Sequence, residues 1–230
     1  MDTLFAFLAG LLPPLIWLAF WTREDKHPEP RWLILACFVG GAVAVFCSAK
    51  GEEYVATFIT NIQNRYIVWA GVEEFFKFAA VFAIALTSSS NDEPIDAMMY
   101  CITVALGFAA LENSLFVVGK LSGGASLINS LIAGNMRFIG PTLLHTVSSA
   151  FIGFTYGSVF FHSKFTKFMA IFVGLAGAIT LHASFNLSII NASSDDTLRS
   201  FAWVWVAVVI LIILFEEIKS VRPHASSAVV

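Results

Sequence analysis

An all-α, polytopic membrane helix bundle of about seven transmembrane helices is the fold this sequence predicts, and three observations predict it. Only 13% of the 230 residues are charged and 58% are hydrophobic, whereas a soluble domain carries about 25% charged residues. Mean hydropathy is +0.80, and the apolar runs approach the ~20 residues that a helix needs to cross a bilayer. The runs are continuous, which excludes the alternating pattern of a transmembrane barrel. Lipid offers no hydrogen bonds, so each run satisfies its own backbone as a helix.

Seven spans follow in order, at about 3–21, 31–49, 66–87, 95–119, 138–161, 168–192 and 199–219. The first starts after Asp2 without a basic leader region, so it reads as a retained helix and not as a cleaved signal. Pro13-Pro14 should kink it. Residues 50–65, with Lys50, Glu52, Glu53, Asn61, Gln63, Asn64 and Arg65, read as a polar surface segment between the second and third spans. Residues 120–136 form a Gly/Ser-rich connector with the character of a re-entrant segment. Gly153 and Gly157, and Gly174 and Gly177, provide flat faces for close helix contact. Trp17, Trp21, Trp32, Tyr66 and Trp69 lie near span ends, as interfacial aromatics do. Residues 1–222 then form a single integral membrane domain, and 223–230 a short disordered tail.

Several classes drop out. A net charge of −3 gives no support to nucleic-acid binding. Cys37, Cys47 and Cys101 fall inside spans without Cys-x-x-Cys spacing and read as small apolar residues. Basic residues set the orientation: with the N-terminus outside, Arg23, Lys26, Arg31, Lys164, Lys167, Lys219 and Arg222 face the cytoplasm, against Lys50, Arg65, Lys120, Arg137 and Arg199 on the other side.

The informative residues are the polar ones in mid-span. A charged group at that depth costs roughly 2.5–3.5 kcal/mol on insertion scales, so its default reading is functional. The third span carries Glu73, Glu74 and Lys77, with Glu73 and Lys77 four apart on one face. The fourth carries Phe108 and Glu112 followed by Asn113, the fifth His145 and Ser149, the sixth His182 and Asn186. Successive spans run in opposite directions. Glu73, Glu112, His145 and His182 therefore all lie roughly 10–16 Å from the same membrane face at about 1.5 Å per residue. That places one site between helices 3, 4, 5 and 6.

Glu-Glu-x-x-Lys at 73–77, Phe-x-x-x-Glu at 108–112, His-x-x-x-Ser at 145–149 and His-x-x-x-Asn at 182–186 occur in that order, and together they resemble the PrsW family of intramembrane proteases. That family is a branch of the group that holds the CAAX-prenyl endopeptidases and Abi proteins. Arg23-Glu24-Asp25-Lys26-His27-Pro28-Glu29-Pro30, Glu93-Pro94-Ile95-Asp96 and Gly107-Phe108-Ala109-Ala110-Leu111-Glu112-Asn113 are similar to further stretches of it. The wider group usually has Arg after the double Glu and His in the second motif, where this chain has Lys77 and Glu112. The resemblance implies an endopeptidase in a bacterial plasma membrane that cuts membrane-anchored proteins, with anti-sigma factors as a type of substrate.

The residues carry that chemistry in named roles. A pair of buried carboxylates beside a lysine can poise one of them, Glu73 or Glu74, as general base for water. The alternative is a structural Glu73–Lys77 ion pair with Glu74 facing a polar cavity. His145 and His182 can stabilise an oxyanion or orient water. With Glu112 they can instead ligate a divalent metal such as zinc, so metal-assisted and metal-free glutamate mechanisms both stay open. Asn186 can hold a carbonyl oxygen or the attacking water. Lys77, Asn113 and Ser149 are supporting residues, and Asn113 and Ser149 read first as packing hydrogen bonds. Ser148 and Ser149 lack a Gly-x-Ser-x-Gly context for a serine nucleophile. A rival reading uses the same Glu/His set as a proton or ion relay in a transporter or channel.

Overall fold

The computed structural model describes residues 2–132, 140–190 and 194–223. Seven long helices occupy the described residues: α1 (Asp2–Glu24), α2 (Arg31–Ala56), α3 (Ile62–Val81), α4 (Asp96–Ser122), α5 (Pro141–Ser158), α6 (Lys164–Ile190) and α7 (Ser194–Ile218). A π-helical turn, Phe82–Leu86, continues α3, and a short helix begins at 127 and is described to 132. No strand occurs among the described residues. Five helices, all except α3 and α5, contain a stretch long and apolar enough to cross a membrane. The chain is an integral membrane protein whose helices form one polytopic bundle.

The centre of that bundle is α4. Of its most apolar stretch 72% is buried, against 17–33% in the other four apolar helices. Glycine makes this density possible. A methyl group at Gly107 would lie 1.9 Å from the carbonyl oxygen of Phe38, and one at Gly41 would lie 1.9 Å from that of Val104, so α2 and α4 cross backbone to backbone. Gly10 brings α1 equally close to Ser114, whose hydroxyl donates to the Phe7 carbonyl at 2.8 Å. On the other side Gly153 and Gly157 seat α5 against Ala97, Met98 and Pro94, and Gly174 and Gly177 seat α6 on Ile152 and Phe151.

The expectation for Trp21 needs correction, and two others gain detail. The segment 50–65 is helical over most of its length, because α2 runs on to Ala56 and α3 begins at Ile62, and most of its side chains are exposed. The Asn61 side chain caps α3 by accepting from the Asn64 N–H at 3.0 Å, leaving only a short turn between the helices. Trp21 is no interfacial residue: it is 2% exposed and packs on Phe215 of α7, in the core cluster with Met98, Met99 and Ile102. The helix α1 includes Pro13 and Pro14 and does not end at them. Cys37, Cys47 and Cys101 are free thiols. The expected tail after Pro223, Arg137 and the end of the 120–136 connector lie outside the described residues.

A carboxyl clamp joins the α1–α2 and α3–α4 loops. Tyr100 donates its hydroxyl to Glu29, the N–H groups of Asp92 and Glu93 donate to Asp96 Oδ2 at 2.9 and 2.6 Å, and His27 pairs with Glu93 at 2.8 Å. All of these groups sit at the end of the bundle where α1 finishes and α4 starts.

Candidate active site

At the opposite half of the bundle, α3, α4, α5 and α6 bring their polar side chains together. Glu73 is three turns into α3, Glu112 three turns before the end of α4, His145 one turn into α5 and His182 two turns before the end of α6. Measured from those helix ends, all lie roughly 6–16 Å deep at about 1.5 Å per residue.

Glu74 is the hub. Its side chain is wholly buried, and four donors converge on it: Lys77 Nζ at 2.6 Å, Ser148 Oγ at 2.8 Å and His182 Nδ1 at 2.8 Å on Oε1, and Ser149 Oγ at 3.1 Å on Oε2. A carboxylate only accepts, so His182 donates from Nδ1 and keeps the lone pair on Nε2. Lys77 is 1% exposed and also reaches His145 Nδ1 at 3.0 Å. An ammonium only donates, so this nitrogen accepts, and His145 donates from Nε2 to Glu112 Oε2 at 3.0 Å. Phe108 walls the lysine in, its ring centre 5.1 Å from Nζ and 5.2 Å from the His145 ring. The two imidazoles meet edge to face at 5.0 Å.

Glu73 differs from Glu74 in the one respect that matters for chemistry. Its Oε2 is buried, has no hydrogen-bond partner, and faces His145 Nδ1 and His182 Nε2 at 3.8 Å each. A buried acceptor left unsatisfied is costly, so such an atom marks a place where something else binds. The Glu73 and Glu112 side chains are 12% and 32% exposed, which puts Glu112 on the wet side of the site.

Donor atoms of Glu73, His145 and His182 lie within 4.8 Å of one another. Ligand atoms around a tetrahedral zinc ion are about 3.4 Å apart, so the two 3.8 Å separations need only a small contraction. His182 is held from behind by Glu74, as a metal-ligating histidine usually is. The set therefore fits a divalent cation, which would displace Lys77 from His145 Nδ1.

Two sequence expectations shift. Lys77 pairs with Glu74 at i, i+3 and not with Glu73 at i, i+4, because Glu74 points into the α5–α6 interface where the serines and His182 supply further donors. The third member of the candidate metal set is Glu73 and not Glu112, since Glu112 meets the other nitrogen of His145. Asn113 lies apart from the hub network, with its Nδ2 donating to Thr142 Oγ1 at 2.7 Å between α4 and α5. Asn186 is half-buried one turn beyond His182 and makes no hydrogen bond among the described residues.

Sequence reasoning missed two residues. Ser148 reads from the sequence only as a candidate nucleophile, yet it donates to Glu74. Glu52 reads from the sequence as a surface residue, yet it is half-buried and its carboxyl is close enough to those of Glu73 and Glu112 to feel their charge. The signal for Glu52 was the Asn61 cap, which leaves room for α2 to continue beyond its apolar run.

The sequence has relatives. A family model described as PrsW family intramembrane metalloprotease matches residues 29–215, a stretch that includes all of α2 to α6 and the whole four-helix site. The chain belongs to the PrsW family. It is 26% identical over 166 residues to the protease PrsW of Oceanobacillus iheyensis, covering 69% of this chain and 71% of that one. With its counterpart from Geobacillus kaustophilus the identity is 28% over 160 residues, covering 68% and 67%. With that of Bacillus subtilis it is 23% over 217 residues, covering 90% and 89%. A search of solved structures returns no significant match. As a PrsW family member the protein is an intramembrane protease.

Proposed function

We propose that this PrsW protein hydrolyses peptide bonds of membrane-anchored proteins with Glu73 as general base, and that the unpartnered Oε2 of Glu73 carries the assignment. Glu74 is wholly buried, with donors on both oxygens and Lys77 as counter-charge, so it is committed to its neighbours. It holds His182 and Lys77 in place. Glu73 has one oxygen aimed into the gap between the two imidazoles.

Water enters past Glu112, loses a proton to Glu73 Oε2, and attacks the scissile carbonyl carbon. The new C–O bond gives a tetrahedral oxyanion. Collapse breaks the C–N bond as Glu73 returns its proton to the departing amine. His182 Nε2 accepts from the reacting water and orients it. Asn186, with its amide uncommitted, donates to the oxyanion. Glu112 fixes His145 through Nε2. A divalent cation held by Glu73, His145 and His182 would occupy Glu73 Oε2 and His182 Nε2 and would supply Lewis acidity toward the carbonyl oxygen in place of the roles given to those two atoms.

The depth of the site supports cleavage within the half of the bilayer reached by the ends of α4 and α6. With the N-terminus outside, that is the outer half of a bacterial plasma membrane. The family resemblance supports regulated processing of an anti-sigma-factor type of partner.

The test is cleavage of a panel of single-pass peptides by the purified protein in detergent, with and without chelator. Glu73→Gln should lower kcat by about 10²–10⁴-fold, the usual worth of a general base. Wild-type cleavage in that variant would overturn the reading. Loss of activity on chelation, restored by zinc, would establish the cation; indifference to chelator would leave the glutamate mechanism alone.

A further inference from the structure

Asp25, just past the end of α1, belongs to none of the four motifs, and the mechanism above does not use it. It is 7% exposed, and only one of its carboxyl oxygens is occupied: Oδ1 accepts from the His27 N–H at 3.0 Å, while Oδ2 is buried with no hydrogen-bond partner. Lys219 is the lysine whose charge reaches it, yet that ammonium is committed to Glu216 at 2.5 Å. A buried acceptor left open in this way marks a place for a donor from outside the chain.

The space around Asp25 says what kind of donor. Gly10 and Gly41 seat α1 and α2 separately on α4, and between the two helices lies a crevice of about 440 Å³. Leu15, Leu18, Ala19, Ile34 and Met99 line its length, with Leu15 and Ala19 exposed, and its mouth is formed by Asp25, Glu29 and Arg31. From Leu15 to Asp25 it runs roughly 15 Å along α1 at about 1.5 Å per residue, so its inner part lies at acyl-chain depth and its mouth at headgroup level. The mouth has two electrical sides. Glu29, held by the Tyr100 hydroxyl, adds to the negative side at Asp25. On the other side the exposed Arg31 opens α2, which has no side-chain cap and no acidic residue in its first turn, so its N–H groups and dipole favour an anion. Trp32 beside it is 65% exposed, as an interfacial aromatic is.

We propose that this crevice holds a phospholipid with a zwitterionic, primary-ammonium headgroup, of the phosphatidylethanolamine kind. The ammonium donates to Asp25 Oδ2, the phosphate meets Arg31 and the start of α2, and an acyl chain lies along Leu18 and Met99. A quaternary ammonium has no N–H and leaves Oδ2 unsatisfied; an anionic headgroup brings no cation to it.

The test uses the full chain, stripped of lipid in detergent. Melting temperature, and bound lipid by native mass spectrometry, are followed as dioleoyl phosphatidylethanolamine, dioleoyl phosphatidylcholine, dioleoyl phosphatidylglycerol or free phosphoethanolamine is added. Phosphatidylethanolamine should raise the melting temperature by at least about 3 °C and bind about 10-fold more tightly than either other lipid. Asp25→Asn should erase that preference, yet melt without lipid at or above the wild-type temperature because the unpaired charge is gone. Arg31→Gln should weaken phosphatidylethanolamine and phosphatidylcholine by a similar factor and keep the preference between them. Equal binding of phosphatidylethanolamine and phosphatidylcholine to the wild type overturns the proposal, and so does a preference that survives Asp25→Asn. Phosphatidylglycerol binding as tightly as phosphatidylethanolamine overturns the zwitterion. An equal shift from free phosphoethanolamine at the same concentration overturns the lipid and leaves a site for a soluble headgroup. If Asp25→Asn does not fold, Arg31→Gln and Ala19→Trp, which fills the crevice, decide: unchanged phosphatidylethanolamine binding in both overturns the proposal.

Discussion

Adjacent glutamates on one helix turn, Glu73 and Glu74, have been given opposite environments, and the contrast predicts opposite mutant phenotypes. Among the described residues Glu74 is the only acid paired with the buried Lys77 ammonium, and it also anchors Ser148, Ser149 and His182. Removing one partner of a buried ion pair leaves an uncompensated charge and costs about 3–5 kcal/mol. Glu74→Gln should therefore lose folded protein first, seen as a large drop in melting temperature in detergent. Glu73→Gln removes charge from a site where one oxygen is already unpaired, so it should melt at or above the wild-type temperature while losing about 10²–10⁴-fold in kcat. If Glu74→Gln melts like wild type, the hub role assigned to it is wrong. The sequence displayed the cluster but not this division. Both residues share a motif, and only the direction of each Cα–Cβ bond against α5 and α6 separates the anchor from the reactive group. Alternation of spans was enough to bring Glu73, Glu112, His145 and His182 to one depth, because depth depends on residue counts alone.

Between helices, the crossing of α2 over α4 sets the precision of the site, because α4 carries Phe108, which walls in Lys77, and Glu112, which holds His145. Gly41 and Gly107 make it a reciprocal contact in which each backbone rests on the other's carbonyl. A methyl at Gly107 meets the Phe38 carbonyl at 1.9 Å, and no side-chain rotation can relieve a clash with backbone. Gly107→Ala should cost about 1–3 kcal/mol from overpacking, read as a lowered melting temperature, with the helices forced apart. An unchanged melting temperature would show that the crossing tolerates a gap. The helix itself was legible as an apolar run. Its last two turns were not, since Lys50, Glu52 and Glu53 resemble a surface loop by composition, and only tertiary partners such as Trp69 reveal that they stay helical.

Across the whole molecule, polarity is concentrated at two levels: the protease site in one half, and the carboxyl clamp that ties the α1–α2 and α3–α4 loops at the far end. The clamp gives the bundle a pH dependence independent of catalysis. Burial raises the Glu29 carboxyl above its ordinary 4.5; hydrogen bonds with Tyr100 and Asp96 pull the other way, and repulsion from Asp25 and Asp92 adds to the rise. Asp25 is raised as well, again mainly by burial. A carboxyl whose folded value lies above its unfolded value binds protons more tightly in the folded state. Its stabilising effect is then complete below the unfolded value, near 4.5, and is lost as pH rises through the folded one. Glu29→Gln cannot ionise and still offers an oxygen to the Tyr100 hydroxyl, so it escapes that loss. The melting-temperature difference, variant minus wild type, should therefore grow as pH is raised from about 4.5 toward neutrality. A difference that stays flat over that range would mean that Glu29 titrates as it would in the unfolded chain, and that the clamp holds its loops without storing a proton.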